Sequence, residues 1–408
     1  MSGSIIELLD LIARWVHVIA GIMWVGNSML FNWLDRNLRA RPEGDSYGDI
    51  WLIHSGGFYL VEKNKGERVG VAAGGKGGLR LPNPLHWFKW QAYTTWLSGA
   101  ALLIVVYYVG GRALIVDPGR ATTSPSAGVT IAVATIVGAW LLYETIWRII
   151  GKRSPRLAGA ISLIFMVAAI ELLLSSLSGR AAFLHVGAML GTVMAGNVAF
   201  TIMPSQRELV AALSAGREPS QEIADRAKTR SIHNNYLTFP VIILMMAAHF
   251  PSLYADRGDV PLFTLLAAGA MVRHVLNIRF TYRPWRPALA ATLVVGALLL
   301  AFELRAVGRR PASAAAEIAP ANVTFDDVRR IVDRRCAACH SSTPSDISLG
   351  VTPAGVSFDS PQQIQALAAR IRERGVVQRT MPPANKTRIT ESERAMLAKW
   401  IADGAQIK

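Results

Sequence analysis

The chain's two cysteines stand together, in Cys336-Ala-Ala-Cys339-His340. Cys-x-x-Cys-His is the attachment pattern of c-type haem. Two thiols carried on one turn add across the haem vinyl groups, so that Cys336 and Cys339 become thioethers. The imidazole that follows, His340, is placed to reach the iron as proximal ligand. Two other chemistries use paired cysteines. A redox dithiol wants a βαβ setting, and no such pattern surrounds this pair. A structural zinc site wants a second Cys/His pair nearby, and no Cys or His follows His340. A haem that only carries electrons takes a second axial ligand, and Met/His ligation is the usual arrangement in cytochromes c. Met381, in Arg379-Thr-Met-Pro-Pro383, is the candidate, with two prolines fixing the loop beside its sulfur. Met396 lies in a helical run where packing accounts for it.

The elements that must position these groups are short helices. The pattern predicts an entry helix from Thr324 to Arg335, a middle helix from Pro361 to Arg374 and a closing helix from Glu391 to Ala402. Residues 322–408 therefore read as a small class I cytochrome c domain carrying covalent haem c. Bacteria attach haem c outside the cytoplasm, which places this domain in the periplasm.

The first three-quarters of the chain differ in kind. The sequence is 51% hydrophobic with a mean hydropathy of +0.30, and the apolar excess lies before residue 305. Runs long enough to cross a bilayer as helices occur at 8–34, 90–110, 128–150, 157–178, 182–203, 236–251, 261–279 and 287–304. The run at 236–251 is the shortest and follows the polar His233-Asn-Asn235. The first run is too long, and too charged at Arg14 and His17, for a cleavable signal peptide. The expected architecture is all-α: a polytopic membrane bundle of about eight helices over residues 1–305, a small-residue-rich flexible linker at 306–321, and the haem domain at 322–408. With the N-terminus outside, the cytoplasmic loops collect most of the Lys and Arg, whereas the outer loops hold Arg112, Arg120, Arg180 and Arg257. Eight crossings then return the C-terminus to the periplasm, and the location expected is the bacterial inner membrane. The net charge of +15 is thus mostly a topology signal, and nucleic-acid binding is not needed to explain it.

Ionisable residues inside spans are expensive and usually functional. His17 and His185 enter from the outer side, and His249 ends the sixth run near the same side. Three histidines there could supply axial ligands for a b-type haem, with His17 and His185 as the first pair and His249 as substitute. The alternative is that they hydrogen-bond between helices, with the nearby glycines serving as packing contacts. On the inner side lie His233, Asn234 and Asn235, then Arg273, His274 and Asn277, the last three at i, i+1 and i+4. Arginine binds anions, Asn reads amide edges and His exchanges protons near neutral pH, so this cluster suits a polar, anionic, planar substrate. Glu144 and Glu171 could relay protons or pair with an arginine such as Arg148. Residues 50–63 form a β-like stretch with turn glycines.

A tethered cytochrome needs an electron source in the membrane body, either an enzyme oxidising a small molecule or a quinol- or haem-linked relay with no chemistry of its own. Here the whole chain resembles the membrane-bound urate oxidase family fused to cytochrome c. The residues that carry the resemblance are Trp15-Val-His-Val-Ile-Ala-Gly-Ile-Met-Trp24, Gly56-Gly-Phe-Tyr-Leu-Val-Glu-Lys63, Leu85-His-Trp-Phe-Lys-Trp-Gln-Ala-Tyr-Thr-Thr-Trp96, Ser231-Ile-His-Asn-Asn-Tyr236 and Cys336-Ala-Ala-Cys-His340 with Met381. The resemblance implies oxidation of urate to 5-hydroxyisourate in purine breakdown, electrons leaving through the cytochrome to a downstream cytochrome c or terminal oxidase, and no hydrogen peroxide. The first span also resembles that of a membrane protoporphyrinogen oxidase family whose early histidine holds haem b, which implies that role for His17.

Overall fold

A computed structural model of the protein describes residues 3–40, 46–64, 67–68, 79–80, 84–109, 112–117, 123–215, 217, 220–247, 249–254, 258–308, 322–346 and 353–407. Helix α1 runs over Gly3–Asn37. A hairpin follows, β1 (Ser46–His54) paired antiparallel with β2 (Gly57–Asn64). Its turn needs positive φ at Ser55 (51°) and Gly56 (76°), a two-residue geometry that glycine accepts without strain. The bulk of the N-terminal body is α2 (Trp90–Leu103, continued by a π segment Ile104–Val109), α3 (Arg112–Ile115), α4 (Pro125–Ile149), α5 (Pro155–Ser176), α6 (Gly179–Asn197), α7 (Met203–Ser214), α8 (Gln221–Ala247), α9 (Asp259–Ile278) and α10 (Trp285–Gly308). A π segment, Val198–Ile202, fuses α6 and α7 into one long rod.

Among the described residues, seven helices are long and apolar enough to cross a membrane: Leu8–Asn37, Trp90–Val109, Pro125–Ile149, Pro155–Ser176, Gly179–Ser214, Asp259–Ile278 and Trp285–Arg305. They present apolar side chains outward, among them Trp15, Ile164 and Phe302, each about two-thirds exposed, as lipid-facing surfaces do. The expected run at 236–251 is the corrected one. Its first part is the C-terminal half of α8, and α8, though 27 residues long, is not apolar enough because its N-terminal half is polar. Leu244 and Ala247, near the end of α8, share a core with Ala181, Ala182, Phe183 and Val186 from the start of α6 and with Leu262, Leu265 and Leu266 from the start of α9. Helix α8 is therefore antiparallel to both and packs one face into the same bundle, while Ile232, Ile242 and Met246 remain exposed on the other. Burial of the first face is what allows it to be polar.

Two further expectations change. The loop assumed for 204–235 is largely helical, and Arg230 within it is buried at 3% exposure. The expected linker begins late, since α10 continues to Gly308, and residues 309–321 lie outside the described residues.

The C-terminal segment has its own core, built on Val328, Val332, Ile364, Leu397 and Trp400. Its helices are α11 (Phe325–Arg335), α12 (Pro361–Ala366), α13 (Ala368–Ile371) and α14 (Glu391–Ala402). Reciprocal capping boxes fix three starts: Thr324 with Asp327, Ser360 with Gln363, and Thr390 with Glu393. The entry and closing helices match the sequence expectation. The middle one is broken at Leu367 and ends in a π turn, Arg372–Val377.

Close approach of α8 and α9 depends on Gly269, where a Cβ would stand 2.9 Å from the Pro240 nitrogen and 3.2 Å from the Phe239 carbonyl carbon. Gly269→Val should cost about 1–3 kcal/mol of overpacking, read as a lowered unfolding temperature in detergent. Gly138→Ala, with nothing within 4 Å of the new atom, should leave that temperature nearly unchanged.

Candidate functional site

Four consecutive residues of α8, His233 to Tyr236, face different neighbours. On the side toward α4 and α6, Tyr143 Oη and His233 Nδ1 are 2.6 Å apart. Asn197 Nδ2 donates to Tyr143 Oη at 3.2 Å and to Asn234 Oδ1 at 2.9 Å, and Asn234 Nδ2 donates to the Met194 carbonyl at 2.9 Å. The His233 ring meets Trp147 edge-to-face at 4.2 Å. One turn earlier, Arg230 donates through Nη2 to Glu144 Oε2 at 2.7 Å and lies over the Tyr143 ring at 4.7 Å. Glu144 also accepts from Arg148 at 3.3 Å, so of the two roles open to it, the pairing role is the one seen here.

On the side toward α9, Asn235 Oδ1 accepts from Arg273 Nε at 3.0 Å and from Asn277 Nδ2 at 2.7 Å. Tyr236 Oη and His274 Nδ1 are 2.8 Å apart, with their rings stacked. The five expected catalytic residues thus divide into two groups: His233 and Asn234 on one side of α8, Arg273, His274 and Asn277 on the other. Two polar atoms of the second group, Arg273 Nη2 and Asn277 Oδ1, are buried without a partner, as is Nη1 of the neighbouring Arg230. Arg273 and Asn277 converge on the same Asn235 oxygen, and each keeps one further buried atom, a donor on Arg273 and an acceptor on Asn277, without a partner. Tyr143 and Arg230 were not picked out by sequence reasoning, and Tyr236 entered only as the end of the Ser231–Tyr236 segment. A tyrosine within a span looks like any aromatic, and Arg230 looks like a loop charge.

The outer-half histidines occupy separate places. His17 Nδ1 is 2.9 Å from the Thr95 carbonyl, and its ring packs against Gly99. His185 is fully buried, with Nδ1 2.7 Å from the Ala181 carbonyl and Nε2 3.1 Å from Tyr108 Oη. Both of its ring nitrogens are engaged. Along α2 the two sites are separated by some ten residues, or about 15 Å at 1.5 Å per residue, so the structure does not bring His17 and His185 together around one iron. His249 is exposed in the turn after α8. Among the described residues no three His, Cys, Asp or Glu gather to hold a metal ion.

In the C-terminal segment, α11 ends at Arg335 and the next turn carries both thiols. The Cys339 and His340 amides donate to the Cys336 carbonyl at 3.2 and 2.9 Å. The cysteines are unbridged. Burial pushes the Cys336 thiol up to about 12 and the Cys339 thiol up as well, which is the reverse of a reactive thiolate. His340 Nδ1 lies 3.1 Å from the Val356 carbonyl. A proton on Nδ1 donated there leaves the Nε2 lone pair for a metal, the tautomer that axial ligation requires. Met381 is held through its backbone: its amide donates to the Arg374 carbonyl at 3.0 Å, and its carbonyl accepts from buried Arg394 at 3.1 Å. Arg394 also donates to the Gly375 carbonyl. These donors and thiols fit a covalently attached haem. The 3-10 turn Pro383–Asn385, just past Met381, lies against α3 of the N-terminal body.

Residues 3–304 match the family described as urate oxidase N-terminal. No curated protein and no solved structure matches the chain.

The buried Arg230–Glu144 pair predicts a specific pattern. Glu144→Ala strands a cation in the bundle and should cost about 3–5 kcal/mol, whereas Glu144→Leu with Arg230→Met should recover most of it; thermal unfolding in detergent measures both. In the C-terminal segment, burial pushes Glu393 up, but the Arg335 fork (2.9 and 3.0 Å) and the Thr390 amide outweigh it and hold the carboxyl below its usual range. Its folded value is lowered, so its contribution is present above the ordinary carboxylate range and disappears as pH falls through the depressed value. Glu393→Gln should therefore lose stability at neutral pH and show a flatter acid limb.

Proposed function

The chain belongs to the urate oxidase N-terminal family, and from that premise we propose that it oxidises urate to 5-hydroxyisourate and delivers the electrons to its own C-terminal haem c. Family membership supports an oxidoreductase acting on urate. The apolar helices support a multi-pass setting, with the bacterial inner membrane as the site and a downstream cytochrome c or terminal oxidase as electron sink.

The observation that carries the substrate site is the unpaired pair on α9, Arg273 Nη2 and Asn277 Oδ1. Urate near pH 7 is a planar monoanion whose edges alternate N–H and C=O. A guanidinium N–H together with an amide oxygen is complementary to such an edge, and Asn235 holds both side chains in register from behind. A buried cation gains most from an anion that desolvates with it. His274, whose Nδ1 is taken up by Tyr236, keeps Nε2 for proton exchange, and His233 does the same from the other side of α8. The balance is urate monoanion plus water giving 5-hydroxyisourate, one proton and two electrons, so a proton acceptor is required and the histidines provide one.

Cys336 and Cys339 would hold the haem by thioethers, with His340 and Met381 as axial ligands; bound there, it supplies a one-electron acceptor. The contact between the turn after Met381 and α3 supports a docked position on the side where α3 emerges. For a b-type haem within the body, geometry favours His17 over His185, since both nitrogens of the latter are occupied.

Anaerobic mixing with urate, without added quinol, should reduce the haem c absorption bands of the purified protein, and reduction by quinol alone would rule out the urate reading. Arg273→Met should raise the urate KM about 10- to 100-fold through loss of a charged hydrogen bond. A pyridine haemochrome assay should find c-type haem that vanishes in Cys336→Ser with Cys339→Ser.

A further inference from the structure

Between α1 and the start of α2 lies a cavity of about 150 Å³, lined by Trp24, Asn27, Ser28, Phe31, Phe88 and Gln91. We infer that this cavity binds the head group of a neutral, membrane-soluble quinone or quinol, a second ligand distinct from the anionic substrate.

The lining states the chemistry. None of the six side chains is ionisable, and Lys89, between Phe88 and Trp90 in sequence, sits over the Trp90 ring. An anion would lose its hydration there without a counter-charge, which is prohibitive in an apolar setting. A lipid chain would leave polar groups stranded, because Gln91 Oε1 is already buried with no partner. The occupant must therefore be neutral and able to hydrogen-bond. Phe31 and Phe88 meet edge-to-face at 5.1 Å, and Trp24 packs against the cluster of Ala92, Val198 and Met203. Aromatic walls of this kind take a flat ring. The volume suits one substituted six-membered ring.

Access is from the side. Phe31 and Phe88, which line the cavity, and Trp90 at the start of α2 are large, apolar and substantially exposed, so a ligand would arrive through surroundings that are oily. Amide and hydroxyl groups of Asn27, Ser28 and Gln91 can donate to quinone carbonyl oxygens. A turn of the Gln91 amide toward the cavity would let Oε1 accept from a quinol hydroxyl, which satisfies the orphaned atom. A small, mostly apolar pocket with a few convergent polar groups is the usual form of such a site.

The test is photolabelling of the full-length protein in lipid nanodiscs with an azidoquinone, in the absence of urate, and mapping the adduct by peptide mass spectrometry. The expected adduct lies within residues 24–31 or 88–91 and is displaced by decylubiquinone. Gln91→Leu and Asn27→Leu should each weaken labelling about tenfold, the loss of one buried hydrogen bond, with helix content by circular dichroism unchanged. Adducts mapping elsewhere, labelling indifferent to both substitutions, or displacement by urate would each overturn the inference. Labelling that persists in a preparation unable to oxidise urate upholds it and counts only against the substrate assignment above.

Discussion

A helix in hydrocarbon satisfies its own backbone but not its polar side chains, and each of those must find a partner inside the protein. That constraint organises the N-terminal body. Its outer helices turn apolar faces outward, and much of the polar load is carried by one face of α8, where Arg230, Asn234, Asn235 and Thr238 are buried against neighbouring helices. His233, Asn234, Asn235 and Tyr236 cannot all point one way on a helix of 3.6 residues per turn. They divide, and each acquires a partner from a different neighbour: Tyr143 and Asn197 on one side, Arg273, Asn277 and His274 on the other. Because Asn235 Oδ1 is already taken by two donors, Arg273 is held by its Nε alone and its Nη2 is left over. The unpaired atoms follow from how the network is saturated.

Much of this was legible in the residues themselves. The Cys-x-x-Cys-His turn, the capping boxes at Thr324 and Thr390, the hairpin around Ser55-Gly56 and seven of the eight apolar runs are local signals, and local physics decides them. Helix α8 was legible only in part. Hydropathy measures affinity for lipid, and a helix face packed against protein need not have any. For the same reason Arg230 looked like a loop charge in the sequence. Its burial depends on Glu144, 86 residues away, and no window along the chain contains both. The roles of Tyr143 and Tyr236 were missed because each lies in the hydroxyl's partner, and a partner across a bundle leaves no periodic trace. The break at Leu367 is another such case, since the composition of residues 361–374 suits a continuous helix.

In the C-terminal segment the same logic works through cations instead of amides. Arg335, the residue before Cys336, donates to the Thr387 carbonyl at 2.5 Å and forks onto Glu393, while Thr387 Oγ1 donates back to the Arg335 carbonyl at 2.8 Å. One side chain thereby ties the cysteine turn to the loop after Met381 and to α14. Arg394 ties that loop to the π turn from within. Burial lowers Arg394 to about 10, which still leaves it charged at neutral pH, and a charged donor to backbone carbonyls is stronger than a neutral one. The relative placement of His340 and Met381 is thus set by two arginines whose sequence positions, adjacent to Cys336 and within a closing helix, give no hint of that role.

The burial of Arg230 also bears on orientation. Positive-inside reasoning counts loop charges, and a buried, paired arginine should not be counted. Removing it leaves the asymmetry intact, because Lys152, Arg153, Arg156, Arg283 and Arg286 remain exposed at helix ends. These charges and the long segment 35–89 define one side, which puts α3, at the opposite ends of α2 and α4, on the other. The turn after Met381 touches α3. Charge asymmetry is a property of the loops, whereas this contact comes from the packing of a separate core, so the C-terminal segment meets the bundle at the end opposite Lys152, Arg153, Arg156, Arg283 and Arg286.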